Sequence, residues 1–491
     1  MLMTPLEAAC RLINSSLKTR TKHYAVCNET ENAVFDAPPR ARSNRFSLGF
    51  SAKSILPHDV AKKKYYIAGY GSNKPAKGIL DEPRTHAVWL DDLSGHGGIV
   101  IVSVDNVGML SSDVNRLRAR LHDFAMLTGC RSINIVSTHS HAGIDTMGIW
   151  GPLPLSGKDP SYMELVFSQT VSAVKEAYNS RRNGRLYLGK TEVPDMQEDI
   201  RTPVVFSKTL TRLRFVPDDG SRQVYIINFA SHSESLQGEN ERISADFPHY
   251  MRERIREKTG ADTLYCVGAI GGMISMHIPD KQEIRKNGGD FSQATAEIGR
   301  KLADYALSIS PDDEILLKPK IGCIRQEVFF KAENTVLLLA ARLGILDAEA
   351  YRAQGSGFAL KSEISLIEID SLRLLLLPCE IFPELVYGGY LNSEESATGM
   401  GAEINPPPLS EIIGENTVII GLANDELGYV IPPNDFLLHP KTPYFENARD
   451  VHGRKHYEET NSLGPQTAEA IFKTVCQIVN SVEKQKYKSH I

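Results

Sequence analysis

Ser132-Ile-Asn-Ile-Val-Ser-Thr-His-Ser-His141 is the stretch that decides the fold. Its first half, Ser132 to Val136, is short, apolar and β-branched, which is typical of a buried strand. The run Gly98 to Val104 has the same character, and the segment between the two has the apolar spacing of a helix that ends at Gly129. A strand, a helix and a second strand that ends in imidazole side chains predict an open sheet with a site at its edge.

The alternation of strands and helices continues outward from this stretch. Further strands are predicted at Arg185–Lys190, Leu210–Phe215, Gln223–Phe229, Thr263–Val267, Ser362–Ile369, Arg373–Leu377 and Val418–Leu422, and helices at Leu6–Leu17, Tyr162–Tyr178, Phe247–Lys258, Gln293–Leu307, Asn334–Leu343 and Thr467–Val482. We therefore expect an α/β or mixed α+β fold with a mixed sheet. Residues 1–45 are expected to form a helix and a polar linker, and residues 46–491 one large catalytic domain.

Composition excludes several classes of protein. The net charge is −5, with 42% hydrophobic and 23% charged residues and no basic stripe, so no nucleic-acid partner is expected. No apolar run approaches the roughly 18 residues of a membrane span, and the amino-terminal stretch lacks a secretory apolar core. The seven cysteines are scattered without a CxxC pair, which argues against disulfides and zinc ribbons. These features predict a cytoplasmic protein.

Three predicted strands end in residues that can bind a metal. His139 and His141 follow the first, His232 follows the strand that ends in Asn228-Phe229, and Glu380 follows the run Leu374 to Leu377. Alternate residues of an extended chain face one side, so His139 and His141 can point into the same space. Neutral imidazole is the commonest zinc ligand, and a divalent cation would partner a buried carboxylate.

Each of these residues also has a simpler interpretation. The paired histidines are equally compatible with two surface residues at a strand end. A single histidine after a strand, such as His232, is more often structural than a ligand. Glu380 could form a salt bridge or cap the residues that follow it. Two polar turns are further candidates for the site. The glycine-rich turn 268–275 could expose Ser275 and offer backbone amides to an oxyanion. The second is the polar turn that ends the strand at 421–429.

Taken together and in this order, the segments resemble the neutral (alkaline, non-lysosomal) ceramidase family. The family's Thr-His-Thr-His-Ser-Gly motif is similar to 138–143, and its Asn-Phe/Trp-Ala-x-His strand end to 228–232. Its Ser-Gly/Ala-Asp, Gly-Asp-Val-Ser, Pro-Gly-Glu-Phe, Gly-Leu-x-Asn and Tyr-Glu segments resemble 244–246, 272–275, 378–382, 421–424 and 457–458. The resemblance spans roughly residues 46–475 and covers the amino-terminal catalytic domain of that family only.

Residue by residue, the resemblance implies a zinc site and the groups around it. It implies one zinc ion per chain, held by His139, His232, Glu380 and Tyr429. His141 would handle protons, and Ser275 would be the nucleophile or the partner of a water. Tyr457 would donate to the oxyanion, and Arg201 would contact substrate. Such an N/O ligand set leaves room for water or a substrate carbonyl. It also permits manganese or iron.

The sequence departs from the family where substrate is expected to bind. Met273 replaces an aspartate, Met276-His277 replaces Pro-Asn, and the segment between Tyr429 and Tyr457 is long and rich in proline. We therefore expect a zinc-dependent hydrolase of an amide (N-acyl) bond in a small-molecule or lipid-like substrate that is not restricted to ceramide.

Two other functions fit the same residues. One is a metal-dependent hydrolase or lyase of a small polar or sugar-like metabolite, which a polar lining near Ser275 would favour and an apolar tunnel would not. The other is a non-catalytic metal-binding homologue. Assembly into a homo-oligomer is left open.

Overall fold

The computed structural model describes residues 3–20, 25–27, 30–38, 42–353, 357–400 and 405–489. Parts of the predicted amino-terminal linker, at 21–24, 28–29 and 39–41, lie outside the described residues.

Helices and strands alternate along the described chain. The helices are α1 Pro5–Arg20, α2 Ser111–Arg120, α3 His122–Thr128, α4 Pro160–Asn179, α5 Phe247–Thr259, α6 Lys281–Lys286, α7 Ser292–Ser308, α8 Thr335–Arg342, α9 Pro383–Tyr387, α10 Ser410–Ile413 and α11 Thr467–Ser489, with 3₁₀ helices at Pro311–Asp313, Pro433–Asp435 and Glu458–Asn461. The strands are β1 Phe46–Ser54, β2 Gly78–Ile79, β3 Arg84–Asp91, β4 Ile99–Val104, β5 Ser132–Ser137, β6 Arg182–Glu192, β7 Gln197–Asp199, β8 Thr209–Pro217, β9 Val224–Phe229, β10 Arg242–Ile243, β11 Asp262–Val267, β12 Ile274–Met276, β13 Ile315–Leu316, β14 Ile321–Ala332, β15 Ala350–Arg352, β16 Phe358–Ile369, β17 Leu372–Leu376, β18 Glu380–Ile381, β19 Thr417–Ile420, β20 Tyr429–Val430, β21 Ala448–Arg449 and β22 Lys455–His456.

Two mixed sheets organise these strands. Within the described residues, the larger sheet has nine strands in the order β11-β9-β8-β6-β1-β3-β4-β5, with β13 paired to β6. Its two ends are parallel pairs, β4 with β5 and β9 with β11, whereas the strands between them are antiparallel. The smaller sheet has the order β14-β16-β17-β19, with β15 on β16. The expected mixed α+β fold is confirmed.

The two sheets pack face to face between outer layers of helices. One hydrophobic cluster joins Leu48 and Leu213 of the large sheet to Ile367 and Leu374 of the small one. Helices α2, α3 and α4 cover the other face of the large sheet at one end, and α5 and α7 cover it at the other end. Helix α11 covers the outer face of the small sheet. The result is an α/β/β/α arrangement.

The leucine run of β17 shows why the sequence folds this way. Leu374 and Leu376 point into the core between the sheets, whereas Leu375 and Leu377 point into the core beneath α11. A strand covered on both faces has no polar side, so its sequence is continuously apolar instead of alternating. The predicted hairpin is confirmed, since β16 and β17 pair antiparallel across Asp370 and Ser371.

The sequence-based elements agree with most of these bounds but omit some strands. Strands β1, β3 and β14 were not predicted, and the helix expected between Ser111 and Gly129 is divided into α2 and α3. Part of the predicted polar linker also packs against the core. Phe35 is buried in the core beneath α11, and Asp36 exchanges two backbone hydrogen bonds with Cys323. Among the described helices, none combines the length and apolar character needed to cross a membrane.

Candidate metal centre

Three loops that follow strands meet at one edge of the large sheet. The chain leaves β5 at Ser137, and Ser140 then bridges to Ser233, which lies just beyond β9. His232 bridges in turn to Ser275 of β12. The prediction that His139 and His141 share one space is correct, but they do so outside a regular strand. His139 has φ of +60°, a conformation that non-glycine residues rarely adopt and that recurs at functional sites.

Three buried imidazoles come together there. Nitrogen atoms of His139, His141 and His232 all lie within 4.8 Å of one another, and the group is able to hold a metal ion. Nε2 of His139 is 3.0 Å from Nε2 of His141. Less than a tenth of each side chain is exposed.

Backbone carbonyls fix the protonation of two of these rings. Nδ1 of His139 donates to the carbonyl of Val107 at 2.6 Å, and Nδ1 of His232 donates to that of Ile274 at 2.9 Å. A carbonyl can only accept, so each Nδ1 carries a proton, and in the neutral ring Nε2 is the atom that presents a lone pair. Such an orienting bond is the usual second contact of a metal-binding histidine.

Glu380 brings a carboxylate to the same point. Its Oε2 lies 2.9 Å from Nε2 of His232 and 3.3 Å from Nε2 of His139. Burial would raise the pKa of Glu380, but the two histidines outweigh it and lower the pKa, so the group is ionised. Lone pairs and a carboxylate that converge in a buried space need a cation among them, either protons or a metal ion. The residues present therefore fit a divalent metal.

His141 occupies the side of the group away from Glu380. Its Nδ1 is 3.5 Å from Oε2 of Glu234, a residue to which the sequence assigned no role. Burial and the neighbouring His139 lower the pKa of His141 to about 3, so the ring is neutral. Tyr70 donates its hydroxyl to Glu234 at 2.6 Å and stacks edge-on against His141 with centroids 5.3 Å apart.

Ser275 is positioned by the glycine-rich turn, but it does not line the cavity. It is 7% exposed and donates a short hydrogen bond to Oε1 of Glu234. The glycines have another use that the sequence did not reveal. A Cβ on Gly271 would lie 2.5 Å from the amide nitrogen of Phe382 and 2.7 Å from the carbonyl of Glu380, so only glycine permits this approach.

Tyr429 lies beside Glu380, and Tyr457 lies beside Tyr429. Tyr429 is opposite Glu380 in the parallel pair β18–β20, its hydroxyl is 3.4 Å from Sδ of Met273, and its ring is 6.1 Å from that of Tyr457. Burial and the charge of Glu380 raise the pKa of Tyr429.

Arg201 is not among the residues around the cavity. It forms buried ion pairs with Asp435 and, at 2.8 Å, with Glu458, which follows Tyr457 directly. Its guanidinium also lies 4.6 Å from the centre of the Phe382 ring.

An apolar cavity of about 490 Å³ opens onto this cluster. His139, His141, Glu380, Tyr429 and Tyr457 all lie in its wall. Ten further wall residues come from three segments, 107–110, 147–150 and 337–348, and nine of these ten belong to one satellite hydrophobic cluster. The cavity thus has a polar, metal-competent end and an apolar body.

The chain shares its fold with solved structures, although sequence comparison finds no relative. No protein-family model matches the chain, and no curated protein sequence matches it. Among solved structures, neutral ceramidase from Pseudomonas aeruginosa superimposes with a TM-score of 0.67 at 16% identity, covering 90% of this chain and 75% of that one. A ceramidase complexed with C2 gives 0.66 at 16% identity, over 90% and 76%. The chain has the fold of neutral ceramidase. The resemblance seen in the motifs is confirmed at the level of the fold.

A shared fold at 16% identity does not establish the roles of individual residues, which stay predictions. The structure brings His139, His141, His232, Glu380, Tyr429 and Tyr457 together around one space. Ser275 contacts Glu234 and does not line the cavity, and Arg201 pairs with Glu458, the residue after Tyr457. Glu234 and a further acid of the cavity wall, Glu426, were missed. Glu234 stands two positions after His232 and Glu426 within the turn 421–429, but nothing in a single sequence shows that they are buried.

Proposed function

We propose that the chain is a zinc-dependent hydrolase that cleaves the amide bond of an N-acyl substrate with an apolar acyl chain. The observation that carries this proposal is the cavity of about 490 Å³, which has an apolar body and, at one end, His139, His141 and Glu380 in its wall with His232 in contact with Glu380. Sites for small molecules are commonly apolar clefts with a few convergent polar groups. The proposed ligands of zinc are His139, His232, Glu380 and Tyr429, and the fold of neutral ceramidase supports this choice.

The metal and the chain have separate tasks in this proposal. When bound, zinc supplies Lewis-acid polarisation of the carbonyl and a lowered pKa for the attacking water. The Nδ1 bonds of His139 and His232 to backbone carbonyls keep both rings oriented with Nε2 towards the site. The apolar body of the cavity binds the acyl chain and excludes bulk water, which strengthens the electrostatic interactions inside.

His141 is the proposed proton carrier. Nε2 of its ring faces the centre of the site, while Nδ1 faces the carboxylate of Glu234 at 3.5 Å. A carboxylate behind an imidazole orients the ring and stabilises the imidazolium that forms when the ring takes a proton. The same proton can then pass to the amine that leaves.

Ser275 and Tyr457 take the remaining roles. Because Ser275 does not line the cavity and its hydroxyl proton is engaged by Glu234, we assign it to orienting Glu234 and not to nucleophilic attack. Tyr457 lies in the cavity wall and is the proposed donor to the oxyanion, a contact whose loss typically costs about a hundredfold or more in rate. The ion pair of Arg201 with Glu458 makes Arg201 a positioning residue for Tyr457.

The test is hydrolysis coupled to metal content. Purified protein would be analysed for bound metals and then assayed against N-acyl amides of increasing chain length, against the matching esters, and against short polar N-acetyl compounds. We expect about one zinc per chain, loss of amide hydrolysis on chelation, and recovery when zinc is returned. No bound metal, or hydrolysis unaffected by chelation, would refute the proposal. Turnover of the polar compounds alone would favour the hydrolase of polar metabolites.

A further inference from the structure

Tyr70 joins the cavity wall to the carboxylate that lies behind His141. Its hydroxyl donates to Oε2 of Glu234 at 2.6 Å, and its ring stacks edge-on against that of His141 with centroids 5.3 Å apart. Oε2 of Glu234 is the same oxygen that lies 3.5 Å from Nδ1 of His141. One side chain therefore contacts both members of the proposed proton-carrying pair, and the function proposed above gives it no task.

Two hydroxyls from distant parts of the chain hold the carboxylate of Glu234. Ser275 of β12 donates to Oε1, and Tyr70 donates to Oε2. Hydrogen bonds to an ionised acceptor are stronger and more directional than those between neutral groups. The bond from Ser275 alone would leave the carboxylate free to turn about Oε1. The second bond, from Tyr70, fixes Oε2 beside Nδ1 of His141.

The backbone around Tyr70 is shaped to bring it to this place. Gly69 has φ of +95°, and a Cβ on it would lie 2.4 Å from Cγ and 2.7 Å from Nδ1 of His141, so only glycine permits the approach. On the other side, a Cβ on Gly238 would lie 3.3 Å from Cδ1 of Tyr70. Lys74 ties the same loop down, since Nζ donates to the carbonyl of Gly238 at 2.6 Å. The ring of Tyr70 is thus packed between His141 and Gly238, which fixes the direction of its hydroxyl.

The surroundings of Glu234 indicate more than a role in folding. Glu234 is 4% exposed, and its ion-pair partner among the described residues is His141, not a lysine or an arginine. A buried carboxylate without a permanent cation destabilises a fold, and two hydroxyls offset this cost only in part. Its position is explained if a positive charge appears on His141 during the reaction, because the carboxylate then stabilises that charge.

We infer that Tyr70 is a positioning residue for proton transfer, which holds Oε2 of Glu234 beside Nδ1 of His141 through its hydrogen bond. This inference rests on the proposed function and deepens it, since it concerns the step in which the C–N bond breaks. The electron pair of that bond goes to the nitrogen of the departing amine, and the proton that this nitrogen takes comes from Nε2 of His141. Tyr70 keeps its own proton throughout.

The test compares two substrates that share an acyl chain and differ in whether the leaving group needs a proton. The probes are N-lauroylethylamine and p-nitrophenyl laurate. The amine leaves only when protonated, whereas p-nitrophenolate leaves as the anion. For zinc-loaded Tyr70→Phe, which keeps the ring and loses only the hydroxyl, we expect kcat for the amide to fall about tenfold or more with KM little changed. The loss for the ester should be at least about fivefold smaller, because His141 is then not needed as an acid.

A double-mutant cycle tests whether Tyr70 acts through Glu234. Once Glu234→Gln has removed the carboxylate, adding Tyr70→Phe should lower the rate of amide hydrolysis by no more than about twofold further. Tyr66→Phe, four residues earlier on the same loop and outside the cavity wall, is the matched control and should leave both rates unchanged.

The failure of this inference is distinguishable from that of the proposed function. Equal losses for the amide and the ester in Tyr70→Phe, or an amide rate equal to that of wild type, would overturn the role of Tyr70 alone. Additive losses in the cycle would do the same, since Tyr70 would then act independently of Glu234. Failure of zinc-loaded wild type to hydrolyse the amide would overturn the proposed function and this inference with it.

Discussion

Oε2 of Glu380 lies 2.9 Å from Nε2 of His232, so the two atoms share either a proton or a metal cation. The Nδ1 proton of His232 is already donated to the carbonyl of Ile274, and Glu380 is ionised. Two acceptors this close in a buried space require a cation between them or on one of them. This relationship joins residues 148 positions apart and gives the cluster a donor set that fits a metal ion.

The first prediction concerns metal content. His139→Ala and Glu380→Gln should each reduce bound zinc from about one per chain to nearly none at micromolar metal, because each removes one of the four proposed ligands. Elemental analysis after gel filtration measures this directly. His58→Ala, at an exposed position, is the matched control and should keep its metal. Full retention of zinc by both ligand variants would show that the ligand assignment is wrong.

The second prediction concerns the body of the cavity. Ala341 of α8 lies in the cavity wall, so Ala341→Trp should shorten the space available to an acyl chain. We expect kcat/KM for long-chain amides to fall about tenfold or more, with a much smaller effect on acetyl or butyryl amides. Leu343→Trp, two residues away and 58% exposed, is the control. Equal losses for short and long chains would indicate damage to the fold instead of the binding of the chain.

The third prediction concerns the glycine that contacts the backbone of Glu380. Gly271→Ala would place a methyl group 2.5 Å from the amide nitrogen of Phe382, so β18 must move. We expect the affinity for zinc to fall about 10- to 100-fold, as for residues that orient a ligand, and stability to fall by about 1–3 kcal/mol. Zinc competition with a chromogenic chelator and urea unfolding measure the two effects. Gly71→Ala, where an added Cβ meets nothing within 4 Å, should leave both unchanged.

Local patterns were enough to predict much of the fold. The apolar runs of β4, β5 and β17 and the helical spacing of α4 and α11 depend on neighbours in sequence, and their positions agree with the structure to within a few residues, except for the carboxyl end of α11. Strand β1 was missed because Phe46–Ser54 is interrupted by polar residues, and it became a strand through its antiparallel pairing with β3. Long-range pairing of this kind leaves no periodic signal in a single sequence.

The site was predictable only in part, for a related reason. Histidine and glutamate at strand ends could be recognised by their chemistry. The burial of Glu234 and Glu426 could not, because it depends on how loops from distant parts of the chain meet. The role of Gly271 was also hidden, since it depends on contact with residues 380–382, about 110 positions further along the chain.

The last prediction concerns the pH dependence of stability. Glu384 is 5% exposed, and burial, aided by Asp199 and Asp435 against the opposing Arg201, raises its pKa to about 8. An unfolded glutamate titrates near pH 4.3, so between about pH 4.3 and 8 the folded state binds more protons than the unfolded state. The stabilising contribution is therefore complete below pH 4.3 and is lost as the pH rises towards 8, by up to about 1.4 kcal/mol per pH unit. Glu384→Gln cannot ionise, so its free energy of unfolding in urea should increase relative to wild type across this window and level off above pH 8. Glu415→Gln should give a curve parallel to wild type, and a parallel curve for Glu384→Gln as well would show that Glu384 is ionised in the fold.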